Sequence, residues 1–297
     1  MSNSVLSQPK FDLYQTVTAE IVAAIQRGAG SCTMPWHGGA SVGLPINAAT
    51  EAYYKGINVL TLWVSALRNS YASGTWASYR QWHDLGAQVR KGEQGSIIVF
   101  YREIPNAENG ERPRFVARAS RVFNAAQVLG WVAPSPAPVS PVRINDRIEA
   151  FVRASGATVR IGAQMACYRS KGDRIELPSP DMFTGSATRT ATEAYYGVLL
   201  HELVHWTGAE HRLSRTFGER FGDRAYAFEE LIAELGSAFL CSTFGVANEP
   251  RPDHAAYINS WLQILDKDHR AIFTAASQAQ KAIEYLRALA ESHPQEA

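Results

Sequence analysis

The stretch LLHELVHWTG, Leu199 to Gly208, decides how the second half of this 297-residue chain folds. Within it, His201 and His205 are four positions apart, and in an α-helix this spacing puts both imidazoles on one face. Imidazoles placed in this way can share a zinc ion at about 2.0 to 2.1 Å. Glu202, beside the first histidine, is positioned to take a proton from a water molecule. The stretch predicts a single-metal hydrolase site in which His201 and His205 are ligands and Glu202 is catalytic.

The helix that carries this motif can be bounded from the sequence. Thr190 and Glu193 match a capping box at its start, and Gly208 is a typical residue just past a helix end. Leucine and valine residues surround the two histidines, so we expect the helix to be buried. With 8 histidines and 19 glutamates in the chain, the pattern His-Glu-X-X-His is expected by chance only about 0.01 times. A metal site is therefore favoured over a solvated helix with incidental histidines.

Three residues compete for the place of the third ligand. His211 extends the motif to HExxHxxGxxH, but that pattern also needs a methionine turn further along the chain, and all four methionines precede the motif. Glu229 and Glu230 lie on a later predicted helix, and a carboxylate would offset part of the metal charge. We favour Glu229, because it aligns with Ala233 and Gly236 in a small-residue stripe that permits close approach of another helix. Glu230 and His211 stay open as alternatives.

Composition excludes several classes of protein. Hydrophobic residues make up 46% and charged residues 19% of the chain, as in soluble globular proteins, and no apolar run approaches the roughly 20 residues of a membrane helix. The N-terminus lacks the basic and apolar segments of a secretory signal. The three cysteines are far apart without a CxxC motif, which argues against a disulfide framework or a thiolate metal site. We expect a cytoplasmic protein with no membrane partner.

A proline-rich segment divides the chain. VAPSPAPVSPV, Val132 to Val142, contains four prolines, which exclude a helix and favour an extended spacer. We predict an α+β protein of two domains: residues 1–132, a linker over residues 133–142, and residues 143–297. The second domain is expected to be mostly helical with a small sheet.

The first domain is predicted to mix helices and strands. Apolar spacing predicts helices over Tyr14–Ile25, Gly56–Arg68 and Trp76–Leu85. Two runs rich in β-branched and aromatic residues, Ser96–Tyr101 and Phe115–Phe123, predict a hairpin with a long polar loop.

Several stretches of the chain resemble the ArdC-type antirestriction proteins of conjugative plasmids, and the resemblance covers nearly the whole length. In the first domain they are FDLYQTVTAEIVAAI, the pair Pro35 and Trp36, LPINAAT, YYKGINVLTLW, TWASYRQWHDLGAQVRKGEQGSIIVFY and VFN. In the second domain they are LLHELVHWTG and EELIAEL.

This resemblance implies an N-terminal domain that binds single-stranded DNA and a C-terminal zincin-like metallopeptidase domain. It also implies a role in protecting incoming plasmid DNA from host restriction during conjugation. Zinc is the expected ion, with manganese or another divalent metal as the alternative. The expected peptidase substrate is a protein of the host restriction or DNA-processing machinery.

The residues of the first domain give this implication some physical support. Residues 1–132 hold 12 Lys and Arg against 8 Asp and Glu, a net charge of +4, whereas the remainder holds 17 against 20, a net charge of −3. Five of the seven tryptophans precede the linker, and exposed rings stack bases while cations neutralise phosphates. Such aromatic residues also commonly form a core, and such arginines a solvated face. The best individual DNA-binding candidates are Lys55, Arg80, Trp82, Arg90 and Lys91.

A second basic group lies on the predicted hairpin. Its members are Arg112, Arg114, Arg118 and Arg121, and we expect the last three to share one face of a strand.

Two classes of function follow. In the first, the second domain hydrolyses a peptide bond, and the developing oxyanion is stabilised by one of Tyr195, Tyr196, Tyr226, Arg212 and Arg215. In the second, the protein is a non-catalytic shield that coats single-stranded DNA and has a structural or vestigial metal. Glu202 separates the two classes, because a structural metal site does not need it. A nuclease is disfavoured, since no paired-carboxylate cluster for two metals is evident.

Overall fold

The computed structural model describes residues 12–29, 34, 36–37, 43–104, 114–132, 141–186, 189–218, 223–248 and 254–292. The first half contains helices α1 (Leu13–Gly28), α2 (Ile57–Asn69) and α3 (Tyr79–Asp84). Its strands are β1 (Ile46–Asn47), β2 (Thr75–Ala77), β3 (Gln88–Val89), β4 (Ser96–Ile104), β5 (Arg114–Asn124) and β6 (Val128–Leu129). Helices and strands are mixed as predicted, and the α+β class is confirmed.

Four of these strands form one sheet in the order β1-β2-β5-β4, with β4 at an edge. β1 is parallel to β2, and the other neighbours are antiparallel. β4 and β5 form the predicted hairpin, with a register that runs from Ser96 opposite Val122 to Ile104 opposite Arg114. Its predicted loop lies outside the described residues. β3 and β6 pair separately.

The helix predicted over Trp76–Leu85 is shorter in the structure. Trp76 and Ala77 belong to β2, where they pair with Asn124 and Phe123 of β5. The helix α3 starts only after Ser78, whose side chain accepts a hydrogen bond from the N–H of Gln81. Tertiary pairing with β5 therefore overrides the local helical pattern at its first residues.

The second half contains α4 (Pro141–Ser155), α5 (Ala191–Thr207), α6 (Arg224–Phe244), α7 (His254–Lys267) and α8 (Ala271–Ser292). A three-stranded sheet has the order β7-β9-β8, with β7 (Thr158–Ile161), β8 (Cys167–Arg169) and β9 (Arg174–Leu177). Of the predicted linker, residues 133–140 lie outside the described part of the chain. Pro141 opens α4, at a position where a helix tolerates proline because no N–H is needed there.

Helices α5 and α6 pack unusually closely. A Cβ on Gly236 of α6 would lie 2.8 and 2.9 Å from the two methyl groups of Val204 on α5. The small residue at position 236 therefore permits the approach that the sequence predicted. Trp261 attaches α7 to α6, because its indole N–H donates a hydrogen bond to the carbonyl oxygen of Ala227 on α6 at 2.8 Å.

One hydrophobic core joins the two halves of the chain. Ile21 of α1 and Leu60 of α2 belong to the same buried cluster as Leu235 of α6 and Ala276 of α8. The hydroxyl of Thr18 donates across the junction to the carbonyl oxygen of His269 at 2.6 Å. The predicted domain boundary stays a prediction, but the described residues on its two sides share their interior. None of the described helices has the length and apolar character to cross a bilayer.

We expect Gly236→Ala to destabilise the protein, because the new methyl group would overlap Val204. Overpacking of this kind lowers the free energy of unfolding by about 1 to 3 kcal/mol. Each kcal/mol lowers the melting temperature by roughly 2 to 4 °C. The matched control is Gly197→Ala on α5, where an added Cβ meets no atom within 4 Å. Thermal unfolding of both variants measures the difference, and equal melting temperatures would show that the contact between α5 and α6 is not tight.

Candidate metal centre

Helix α5 brings the two histidines of the motif together. Its start is fixed by the predicted capping box, in which the hydroxyl of Thr190 accepts from the N–H of Glu193 and the Glu193 carboxylate accepts in return. His201 and His205 are 1% and 8% exposed. Their Nε2 atoms lie 3.1 Å apart. The two imidazoles therefore face one point, as the i and i+4 spacing predicts.

Glu230 on α6 completes this group. One carboxylate oxygen lies 3.5 Å from Nε2 of His201, and the other lies 3.5 Å from Nε2 of His205. One ligand atom from each of the three residues, a ring nitrogen of each histidine and a carboxylate oxygen of Glu230, lies within 4.8 Å of the other two. A tetrahedral ion with ligands at about 2.0 to 2.1 Å separates those ligands by about 3.3 Å. The donor atoms therefore fit a single tetrahedral metal ion.

Glu229, the favoured third ligand from the sequence, does not belong to this group, and this expectation is corrected. Its Oε1 lies 3.1 Å from Nδ1 of His205, on the opposite side of the ring from Nε2. Arg215 holds both oxygens, with Nε donating to Oε2 at 2.9 Å and Nη2 to Oε1 at 2.8 Å. A carboxylate bound in this way orients the histidine instead of facing the ion.

Glu234, one turn after Glu230 on α6, lies beside Nδ1 of His201, just as Glu229 lies beside Nδ1 of His205. One of its oxygens lies 3.0 Å from Nδ1 of His201, and the other lies 3.9 Å from Nε2 of His37. Nδ1 of His37 accepts from the N–H of Met34 at 2.9 Å, so its proton is on Nε2. A carboxylate next to Nδ1, as Glu229 is at His205 and Glu234 is at His201, favours the proton on that nitrogen. The lone pair is then on Nε2, where it can bind an ion at the shared point.

The surrounding carboxylates change the proton affinity of the site. Burial lowers the pKa of His205, but hydrogen bonds to Glu229 and Glu230 outweigh it and raise the pKa to about 10. Burial raises the pKa of Glu230, and contacts with both histidines outweigh that effect and hold the pKa well below its usual range. A proton and a metal ion therefore compete for the imidazole nitrogen.

His211, the other alternative ligand, lies away from this group. Its side chain is 64% exposed, and Nε2 lies 3.4 Å from Asp173. The neighbouring Arg212 pairs with the same aspartate and covers the ring of Trp206 at 3.7 Å. These contacts attach the chain after α5 to the small sheet.

A cavity of about 910 Å³ opens onto the metal-ligand candidates. Glu202, only 5% exposed, lies in its wall together with His201, His205 and Glu230. The rest of the wall is largely apolar and aromatic, and includes Met165, Tyr168, Met182, Phe183, Phe217 and Tyr226. Its size is that of a site for a small molecule or for a few residues of a peptide.

Tyr226 is the one member of the five oxyanion candidates that lines this cavity. Its ring stacks on Tyr257 with centroids 6.0 Å apart, and its hydroxyl is hydrogen-bonded with Tyr257 and Glu230. Burial raises its pKa, so the phenol keeps its proton. Tyr196 and Arg215 do not line this cavity. Tyr196 donates to Glu149, and Arg215 donates to Glu229 and to the carbonyl oxygen of Val204.

Both halves of the chain match known families. Residues 11–128 match the N-terminal domain of the anti-restriction factor ArdC, and residues 146–278 match a zincin-like metallopeptidase domain. The crystal structure of the antirestriction ArdC protein from plasmid R388 in its metal-free form is 37% identical, with a TM-score of 0.77 over 96% of this chain and 100% of that chain. The chain belongs to the ArdC antirestriction family.

Other relatives extend this comparison. The Mn(II)-bound structure of the R388 ArdC protein is 38% identical, with a TM-score of 0.76 over 94% of this chain and 98% of that one. The uncharacterised protein y4eC of Sinorhizobium fredii is 42% identical over 97% of this chain and 95% of its own length. The DNA primase TraC of Escherichia coli is 31% identical over 97% of this chain, which corresponds to only 21% of the primase.

One DNA-binding candidate of this ArdC family member needs correction. Trp82 is fully buried, and its indole N–H donates to the carbonyl oxygen of Phe123 at 2.9 Å. Its ring also meets the edge of Trp131 at 5.2 Å. A ring in this position cannot stack on a base, so Trp82 is a core residue.

The other DNA-binding candidates are on the surface, namely Lys55, Arg80, Arg90 and Lys91. Three of them already contact carboxylates, and Arg80 does so most loosely, with Nε 3.8 Å from Asp84. Lys55 lies 2.7 Å from Glu284, and Arg90 lies 2.7 Å from Glu93. Exposure is compatible with a phosphate contact for all four.

The hairpin of β4 and β5 has an exposed face that carries Arg118 of the second basic group beside Phe100, a ring that the sequence analysis did not select. Phe100, 45% exposed, lies directly opposite Arg118, and Arg102 lies opposite Val116, which is 39% exposed. Arg121 is instead opposite Ile97 on the other face and donates to a backbone carbonyl, so the expectation that it shares a face with Arg118 is corrected. Every second residue of a strand points to the same face, so counting positions along β4 and β5 could have grouped Phe100 and Arg102 with Arg118.

The ligand geometry predicts different effects for the two adjacent glutamates. Glu230→Gln removes a charged donor from the metal-binding point, and we expect Zn²⁺ and Mn²⁺ affinity to fall the most. Glu229→Gln affects only the orientation of His205, where such changes cost about 10- to 100-fold in affinity. Competition with a chromogenic chelator measures both, with His211→Ala as the unaffected control. A larger loss in Glu229→Gln would restore the original assignment.

The raised pKa of His205 predicts proton release on metal binding. Because the pKa is about 10, the imidazole is protonated near neutrality and an incoming ion must displace that proton. Apparent Mn²⁺ affinity should therefore rise as the pH rises towards that value and fall as it drops. Calorimetric titration in two buffers of different ionisation enthalpy counts the protons, and a count of zero near neutral pH would contradict the proton competition.

Proposed function

We propose that this protein is an antirestriction factor that binds single-stranded DNA and carries a metal-dependent peptidase site. Its role would be to protect incoming plasmid DNA from host restriction during conjugation, and its substrate a protein of the host restriction or DNA-processing machinery. The observation that carries the peptidase part is Glu202, buried beside the histidine and glutamate donors in the wall of a 910 Å³ cavity.

The donor set supports a catalytic metal. His201, His205 and Glu230 would hold the ion, and three protein ligands with a fourth position open is the pattern of catalytic zinc sites. Zinc is the proposed ion, and the Mn(II)-bound structure of the R388 relative supports a divalent metal more generally. When bound, such an ion supplies Lewis acidity that activates water and polarises a carbonyl group.

The remaining chemistry is assigned to two side chains of the cavity wall. Glu202 would take the proton of the attacking water and pass it to the leaving amine. Tyr226, whose hydroxyl is hydrogen-bonded with Glu230, would redirect its proton to the carbonyl oxygen as negative charge develops on that oxygen. The stack of Tyr226 on Tyr257, itself stacked on Trp261 at 6.0 Å, supports this role because it holds the phenol in place.

The proposed peptidase predicts that Glu202→Gln loses protection of plasmid DNA in a restriction-proficient recipient, while metal and DNA binding are kept. Tyr226→Phe should lower hydrolysis of labelled casein by about 10²- to 10³-fold, the usual cost of one oxyanion donor. Tyr196→Phe is the matched control, because its hydroxyl bonds to Glu149 outside the cavity. Full protection by Glu202→Gln would instead favour the non-catalytic DNA shield.

For DNA binding, the exposed hairpin face is the surface we propose first. Phe100 offers a ring for base stacking, and Arg102 and Arg118 beside it offer positive charge for phosphates. Arg80, Arg90 and Lys91 stay candidates for further phosphate contacts. The sheet holds the backbone of this face in register, so the ring and the cations have fixed spacing.

Substitution of this face should weaken binding of a fluorescent oligothymidylate. Phe100→Ala removes a stacking contact worth about 1 to 3 kcal/mol, and Arg118→Ala should also reduce the slope of log affinity against log salt by about 0.7. The control is Arg160→Ala, an exposed arginine on β7. Unchanged affinity in both hairpin variants, measured by fluorescence anisotropy, would exclude this face.

A further inference from the structure

A second cavity, of about 640 Å³, lies where the two halves of the chain meet. Four elements form its wall: α1, the start of α2, β4 and the long helix α8. We call it the junction cleft. Within the described ranges, it shares no lining residue with the cavity at the metal-ligand candidates.

The cleft has an excess of positive charge. Of the residues that the structure describes, Lys55, Arg270 and Lys281 line it, against the single carboxylate of Glu284. That carboxylate lies 2.7 Å from Lys55, whereas in the described part of the chain no ion pair joins Arg270 or Lys281 to an acidic residue. Two of the three cations are therefore available to an anionic ligand.

Aromatic rings accompany these cations. Tyr101 of β4 is 50% exposed. Tyr14 beside it packs on the edge of Phe273 with ring centroids 4.8 Å apart, and the guanidinium of Arg270 lies 4.7 Å above the Tyr14 ring. Among the described residues, the lining contains neither histidine nor cysteine. Aromatic rings beside cations are suited to binding a nucleic acid strand, because the rings stack on bases and the cations neutralise phosphates.

The position of β4 connects this cleft with the hairpin face. β4 is an edge strand of the four-stranded sheet, and its successive residues Phe100 and Tyr101 point to opposite faces while both are exposed. A flexible strand that passes over this edge can therefore touch Phe100 and Arg118 on one side and Tyr101 on the other.

We propose that the junction cleft binds single-stranded DNA, with Arg270 and Lys281 contacting phosphates and Tyr101 stacking on a base. This inference rests on the proposed DNA-binding function and extends its site beyond the N-terminal family domain. The DNA site is then built from both halves of the chain, because Arg270, directly before α8, and Lys281, on α8, supply the two cations. Lys55 contributes less than its exposure suggests, since Glu284 neutralises it.

The test uses the full-length protein and a fluorescent oligothymidylate of about 20 nucleotides, longer than the span of a typical single-strand site. Arg270→Gln and Lys281→Gln should each weaken binding on the order of fivefold at low salt and lower the salt slope by about 0.7. Lys281→Arg should bind as the wild type does. Glu284→Gln should strengthen binding, because it removes the one negative charge of the cleft.

Photocrosslinking with 5-iodouracil in the oligonucleotide supplies an independent readout, with Tyr101 as the expected crosslinked residue. If the Phe100 and Arg118 variants weaken binding while the variants of Arg270, Lys281 and Glu284 all bind as the wild type does, the cleft proposal is overturned and DNA binding stands. If the wild type itself does not bind the oligonucleotide, the proposed DNA-binding function fails and the cleft proposal fails with it.

Discussion

The close packing of α5 against α6 is the constraint on which the rest of the second half depends. Two histidines on one helix supply only two neutral donors, so a carboxylate must reach them from another element. The approach at Gly236 and Val204 brings the glutamates of α6 within contact distance of α5. Glu230 then faces both Nε2 atoms, while Glu229 and Glu234 lie beside the two Nδ1 atoms. One helix therefore supplies the proposed ligand and also the groups that orient the other ligands.

Three buried carboxylates around two imidazoles carry a large desolvation cost unless each is compensated. Arg215 compensates Glu229, and it also donates to the carbonyl oxygen of Val204 and to the hydroxyl of Thr207 at the end of α5. Gly208 leaves room for this arginine, because a Cβ at that position would lie 2.8 Å from its Nη2. The turn after α5 therefore contributes Arg215 to the metal centre. Gly208 ends the helix and also leaves the space that this arginine occupies.

The sequence predicts the metal-bearing helix well and the third ligand poorly, for a physical reason. His201, Glu202 and His205 are spaced within one helix, so their relation follows from the helical repeat alone. Glu229 and Glu230 differ by one residue, or about 100° around α6, and the sequence does not contain the rotation of one helix relative to another. The decisive contact is made by Arg215, from a loop whose path has no periodic signal. Trp82 shows the same limit, since composition cannot separate a stacking ring from a core ring.

The two halves of the chain, on either side of the proline-rich segment, share one hydrophobic core. Trp63 of α2 packs on Phe239 of α6 with ring centroids 5.6 Å apart, and Trp36 packs on Trp261 of α7 at 6.0 Å. His37, also from the first half, lies beside the glutamate that orients His201. The interior of a protein is packed like an organic crystal, so large apolar residues at such a junction resist relative movement. The proline-rich sequence predicts only that an extended segment connects two parts of the chain. Whether two regions move independently is decided by the area they bury together. Here α1 packs on α7, and α2 packs on α8 and, through Trp63, on α6 of the metal centre.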